Sequence, residues 1–320
     1  MASLGMDRQR KDIAVKQSIP REYRYGINDF NREFPDDDAC LEYIKQQRWP
    51  DGVAQCEKCQ KETKHHRVSG RTAYACDRCG SHIYPLAGTI FEKTTTSLRL
   101  WFYAMYLMGS TRCGISAKQI QRETNVTYKT AWRMFKQIRT LLAEDLQLEG
   151  PSVEMDETYH GGVRKYGTGR PMAGDKKKTP IVGIVERKGR AIAKVADSVK
   201  SASLLKIARE HTLPESTVYT DELKGYGGLG SLRKDGKPMG YEHKRIHHSS
   251  KVYVVGEIHT NSVEGFWSLI KRGIGGVYHS VSQKYLQNYL DEYSFRYNRR
   301  GMYGMVFKEI LGQVSERAAD

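Results

Sequence analysis

From residue 153 onward the chain alternates apolar and polar side chains in short runs: VEMDETYHG at 153–161, TPIVGIVER at 179–187 and AIAKVADSV at 191–199. The last two runs are separated by Lys188, Gly189 and Arg190, and period-two runs bounded by turn residues predict strands. SASLLKIAREH at 201–211 repeats its apolar residues at helical spacing, and STVYTDE at 216–222 returns to strand. Strand, strand, strand, helix, strand is the order of an α/β domain built on a mixed sheet. After a glycine-rich, basic loop at 227–240, SVEGFWSLIKR begins a helix and KYLQNYLDEYSFRYNRR reads as a long amphipathic one.

Upstream, residues 97–146 carry helical periodicity that Glu149, Gly150 and Pro151 bring to an end. Within it Ile115, Ile120, Val126, Ala131, Trp132, Phe135 and Ile138 fit two helices around a turn near Asn125, with Ser116 and Thr127 as N-caps. Neighbouring Trp101, Phe102, Tyr103 and Tyr106 are core candidates. Residues 35–96 hold short β-like pieces, Gly and Pro punctuation and paired cysteines, whereas 1–34 is charge-rich without apolar period and reads as an extended arm or a small docking segment. The chain therefore reads as a multidomain α/β protein: an arm at 1–34, a small module at 35–96, a helical region at 97–147 and a larger domain at 148–320.

Composition narrows the partner. A net charge of +15 beside 20 Tyr and 4 Trp combines phosphate-seeking cations with rings that stack on bases, which points to nucleic acid. Lys and Arg are spread along the chain, so an anionic membrane is the weaker reading. No long apolar run is present and the start, MASLGMDRQRKD, is too polar for a secretory signal, so an intracellular protein is expected.

Cys56, Cys59, Cys76 and Cys79 form two C-x-x-C pairs at the spacing of a structural zinc module, the alternatives being four free thiols or two disulfides. His65 and His66 fall outside the four-thiolate shell and read as surface or DNA-facing residues; Cys40 and Cys113 read as small buried hydrophobes. In the two-helix segment, Tyr128, Lys129, Thr130, Arg133 and Lys136 would lie on the second helix, suited to phosphates and a major groove. A helical hairpin that only packs domains together is the alternative.

Three acids stand in positions where catalytic carboxylates occur. Alternation along 153–158 puts Val153, Met155 and Glu157 on one face and Glu154, Asp156 and Thr158 on the other. Asp221 ends a strand, a usual place for catalytic groups in open sheets. Glu264 falls early in a helix, with Asn261 about one turn before and Lys271 about two turns after on roughly the same face. Converging oxygens of this kind suit Mg²⁺ or Mn²⁺, with two ions about 3.5–4 Å apart serving phosphoryl transfer. Taken singly, each acid could equally be a solvated charge or a cap.

Six ordered phrases carry a resemblance: RWPDGVAQCEKC, LAGTIFEKTTTSLRLWF, ISAKQIQRETNVTYKTAWRM, DETYHGG, YTDELKGY and HTNSVEGFWSLIKRGIGGVYH. Together they resemble the DDE-type insertion-sequence transposases with an amino-terminal zinc ribbon and an ISXO-like catalytic domain, relatives of Merlin elements. The resemblance implies a zinc ribbon and helix-turn-helix ahead of an RNase H-like domain, a mixed sheet with flanking helices. It makes Asp156, Asp221 and Glu264 the ligands of the catalytic ions, with Lys271 the basic residue that follows and Asn261 the alternative third ligand. It further implies binding of double-stranded DNA at terminal inverted repeats, phosphodiester hydrolysis, 3′-hydroxyl strand transfer into target DNA, and a homodimer or larger synaptic complex. The setting would be the nucleoid of a bacterium or the nucleus of a eukaryote. A silent DNA-binding regulator and a nuclease without strand transfer are the competing readings.

Overall fold

The computed structural model describes residues 19–161, 178–245 and 261–316. The chain separates into two compact units, Met1–Thr111 with Arg299–Asp320, and Arg112–Asn298. In chain order the elements are α1 (Ile27–Glu33), α2 (Asp37–Arg48), β1 (Val53–Cys56), β2 (Lys61–Arg67), β3 (Tyr74–Cys76), β4 (His82–Ile83), α3 (Leu98–Ser110), α4 (Ala117–Thr124) and α5 (Tyr128–Thr140). There follow β5 (Ser152–His160), β6 (Thr179–Glu186), β7 (Ala191–Val195), α6 (Ser201–His211), β8 (Thr217–Thr220), β9 (Arg233–Lys234), β10 (Lys237–Pro238), β11 (Glu242–Arg245), α7 (Asn261–Gly273), α8 (Leu286–Asn298) and α9 (Val306–Glu316). None of the described helices is long and apolar enough to cross a membrane.

The first unit joins an antiparallel sheet, β1-β2-β3-β4, to a helical core of packed rings. Phe30, Phe34, Phe102 and Phe307 are buried, with Phe34 edge-on to Phe102 at 4.9 Å and Phe30 to Phe307 at 5.7 Å. Residues 27–33 are therefore a docked helix, the second of the two readings of this segment, and not an extended arm: two rings four residues apart suffice to dock a short helix, too sparse a signal for a periodicity reading. Helix α3, grouped by sequence with the helices after it, packs instead with α2 and α9 of this unit. Asp37 on α2 fixes its start, accepting the Ser97 hydroxyl at 2.6 Å and the Arg99 N–H at 2.9 Å.

In the second unit α4 and α5 turn about Asn125, which takes the left-handed conformation that ends α4. Ser116 and Thr127 cap the two helices through the N–H groups of Gln119 (3.2 Å) and Thr130 (3.1 Å). The sheet runs β11-β8-β5-β6-β7, with β5, β6 and β7 antiparallel and β8 and β11 parallel to β5. One face packs Met155, Val182, Ile184 and Val218 under α6, and the other packs Ile181, Val185 and Ala193 under α7 and α8. This is the RNase H-like mixed sheet that the resemblance implies. The stretch expected as loop at 227–240 also holds the hairpin β9–β10, whose turn residues Asp235 and Gly236 both take positive φ.

One buried ion group fastens α5 to α8. Glu292, fully buried, receives Arg139 Nε at 2.7 Å, Arg296 Nη2 at 2.9 Å and the Tyr278 hydroxyl at 3.1 Å. Burial pushes its carboxyl up, and the two guanidiniums outweigh this and hold it below the ordinary range. Gly114, at positive φ, leaves the space: a Cβ there would stand 2.6 Å from the Tyr278 hydroxyl. Glu292→Ala leaves two guanidiniums without their shared anion, and urea unfolding should show a loss of about 3–5 kcal/mol.

Candidate active site

β5 delivers the first carboxylates. It pairs in parallel with β8, Glu154 opposite Tyr219, and the same register carried two residues further sets Asp221 beside Asp156, just past the last residue of β8. Strand alternation sends Asp156 and Glu157 to opposite faces. Even so, one oxygen from each of Asp156, Glu157 and Asp221 lies within 4.8 Å of the others. β8 ends at Thr220, so Asp221 stands just beyond the paired strands, where it approaches both carboxylates. Tyr226, buried in the turn Lys224–Tyr226 that follows Asp221, donates its hydroxyl to Glu157 Oε2 at 2.8 Å. Asp221 Oδ1 accepts the N–H of Leu223 at 3.0 Å.

α7 closes the site from the other side. The fully buried carboxylate of Glu154 accepts the N–H groups of Ser262 (2.8 Å) and Val263 (3.1 Å) and the Ser262 hydroxyl (3.2 Å), and it pairs with Arg187 at 3.1 Å. First-turn N–H groups have no partner within their own helix and favour an anion, so strand β5 pins the helix that bears Glu264. Asn261, Glu264 and Lys271 are exposed along that helix. Trp267 on the same helix is buried, and its Nε1–H donates to Asp156 Oδ2 at 2.8 Å.

The electrostatics are those of a cation site. Burial first, then the Asp221 and Glu264 charges, push the Asp156 carboxyl up against the pull of the Trp267 bond. Burial followed by Asp221 and Asp156 does the same to Glu157 against the pull of Tyr226. Crowded carboxylates relieved by a hard divalent ion fit Mg²⁺ or Mn²⁺ by charge and donor type.

In the ribbon, Cys56 and Cys79 sulfurs are 3.5 Å apart and those of Cys59 and Cys76 are 3.9 Å apart. A zinc tetrahedron with bonds near 2.3 Å has sulfur edges of about 3.8 Å, whereas a disulfide is about 2.05 Å. The four ligand atoms lie within 4.8 Å of one another, which fits one structural Zn²⁺. The Thr63 hydroxyl, 3.1 Å from the Cys76 sulfur, leads the hydrogen bonds that draw that thiol down to about 6. His65 is buried, with Nδ1 3.0 Å from the Thr63 carbonyl, and so is not the surface residue expected; its place on the inner side of β2 follows from the alternation that leaves His66 outside. Cys40 is buried as expected, but Cys113 is only half-buried.

Residues 147–298 match the ISXO2-like transposase domain family and residues 35–82 the transposase zinc-ribbon domain family. A transposase-like protein of Haemophilus influenzae is 30% identical over 121 residues, 38% of this chain and 85% of that protein. This chain belongs to the ISXO2-like transposase family. A protein in transposable element ISH50 of Halobacterium salinarum is also similar, 29% identical over 294 residues that make up 86% of this chain and 94% of the other. The Mos1 strand transfer complex aligns over 63% of this chain and 73% of that one at 13% identity and a TM-score of 0.29, a likeness too slight to bear on function.

For this ISXO2-like transposase the structure places Asp156 and Asp221 together, and Glu264 outside that tight group but close enough for its charge to act on Asp156. On α5, Tyr128, Lys129, Arg133 and Lys136 are exposed and Thr130 is half-buried. Lys118 lies 4.8 Å from the Tyr128 ring, and Lys136 lies over the Trp132 and Tyr285 rings. Lys244 and Arg245 lie on β11, while His247 and His248, the basic residues that follow them in the sequence, lie outside the described residues. Sequence reasoning passed over Glu154, Glu157 and Trp267. The signal for Glu154 was its position two residues before Asp156, on the same strand face.

Two carboxyls with raised folded values hold protons more tightly folded than unfolded. Their stabilising share is complete below the ordinary carboxylate range and is lost as pH rises through the raised values. Melting of the metal-free protein should therefore show Asp156→Asn more stable than wild type at neutral pH, with the gap shrinking as pH falls and Mg²⁺ raising the melting temperature of wild type alone.

Proposed function

We propose that this protein is a metal-dependent DNA transposase that binds the terminal inverted repeats of its element, cuts at the element's ends and joins the freed 3′-hydroxyl to target DNA. The observation that carries the reading is the convergence of Asp156, Glu157 and Asp221 within 4.8 Å, inside a transposase domain and beside a helix bearing Glu264 and Lys271. Asp156, Asp221 and Glu264 would hold Mg²⁺ or Mn²⁺, with Glu157 a further oxygen donor and Asn261 the alternative to Glu264. When bound, the ions supply charge neutralisation at the phosphate and an acidified water.

The chain's own groups do the rest. Tyr226 holds the orientation of Glu157. Lys271, about two turns beyond Glu264 on the exposed side of α7, binds a DNA phosphate. A water oxygen attacks the phosphorus and the 3′ oxygen leaves; the same 3′ oxygen then attacks a target phosphodiester, so no Ser or Tyr nucleophile is called for. The zinc ribbon and the helix pair α4–α5 bind the element ends, with Tyr128, Lys129, Thr130, Arg133 and Lys136 facing the DNA. Joining two ends in concert calls for a homodimer or larger assembly.

Purified protein with Mg²⁺ and a duplex carrying the element's ends should yield nicked and strand-transfer products, with Asp156→Asn and Asp221→Asn each lowering cleavage about a thousandfold. Cleavage without joining would instead identify a nuclease. Tight binding with no cutting, by wild type and variants alike, would identify a regulator.

A further inference from the structure

We propose that Trp267 is a positioning residue that orients the Asp156 carboxylate toward the metal, and that Gly183 is a glycine in order to admit the indole ring. The inference rests on the reading of Asp156 as a metal ligand. An aspartate carboxylate turns freely about its last torsion, so an unbraced ligand presents its oxygens in many directions. Indole offers one N–H donor and no acceptor, so the 2.8 Å contact to Oδ2 is one-directional and charge-assisted. It engages Oδ2 and thereby fixes the direction in which Oδ1 points.

Packing fixes the donor in turn. Trp267 is 4% exposed and stacks on Phe266 at 5.9 Å. Directly across the ladder from Asp156 stands Gly183, where a Cβ would come within 2.7 and 2.8 Å of two atoms of the Trp267 ring. Gly183 sits between Ile181, Val182, Ile184 and Val185, residues suited to a buried strand, and glycine weakens a strand at such a place. A side chain of any size there would drive the ring away from the carboxylate. Filling the core needs only the ring, whereas orienting Asp156 needs the N–H, and the two roles can be separated by experiment.

The test uses full-length, zinc-loaded protein titrated with Mn²⁺ by calorimetry, as wild type, Trp267→Phe, Gly183→Ala and Asp156→Asn. Trp267→Phe and Gly183→Ala should bind Mn²⁺ about 10–100-fold more weakly, the range for a lost second-sphere bond, and Asp156→Asn should abolish the binding. In cleavage, Trp267→Phe should raise the Mn²⁺ concentration for half-maximal rate and regain most of the rate at saturation, a pattern that loss of folded protein cannot produce. Mn²⁺ should change the tryptophan fluorescence of wild type and leave that of Trp267→Phe unaltered. A folded Trp267→Phe with Mn²⁺ affinity within about twofold of wild type overturns the proposal; should that variant fail to fold, Gly183→Ala decides by the same measure. Wild-type Mn²⁺ binding by Asp156→Asn would instead overturn the metal-centre reading, and this inference with it.

Discussion

Glu154 is an acid buried to exclusion of water, and the site is built around the satisfaction of its charge. A buried carboxylate is tolerable only when every lone pair finds a donor, and here the donors are the first N–H groups of α7, a serine hydroxyl and the Arg187 guanidinium. Arg187 in turn lies 3.8 Å from the centre of the Tyr219 ring on β8. One side chain thus ties together the strand of Asp156, the strand that leads to Asp221 and the helix of Glu264. Because β5 is paired along its length with β6, and with β8 up to Glu154, the sheet sets where Asp156 stands and where the chain leaves β8 for Asp221.

The same arrangement explains why a group of like charges can persist. Asp156, Glu157 and Asp221 repel one another, yet each is restrained from its own direction: by an indole N–H, a tyrosine hydroxyl and a backbone N–H. Repulsion of this kind is held against the stability of the surrounding sheet, and a bound cation would relieve it.

Much of this was legible in the sequence. The alternation at 153–161 and 179–187, the helical spacing at 201–211 and the caps at Ser116 and Thr127 each correspond to an observed element, because local backbone preference and burial agree there. The four-cysteine spacing corresponds to one compact thiol cluster. The rest depended on tertiary partners. Glu157 was set on the far face by strict alternation, and only the end of β8 before Asp221 lets the three carboxylates approach one another. Trp267 reads as an ordinary core aromatic until Gly183 is seen opposite. The short β11 and the hairpin before it carry too few apolar residues to register against the glycines around them.

Helix α9 belongs to the unit that begins the chain, and Phe307 completes its ring cluster with Phe30, Phe34 and Tyr106. Gly109 on α3 lets the two backbones meet, since a Cβ there would stand 2.7 Å from the Phe307 nitrogen. On the ribosome the two segments of this unit emerge on either side of Arg112–Asn298, one before it and one after. The sheet and its helices, contained within Arg112–Asn298, can close while the earlier aromatic residues still wait for α9 to emerge. A chain broken off before residue 306 would carry a finished sheet unit and an unfinished ribbon unit with its rings open to solvent, the kind of exposed apolar surface that quality control removes.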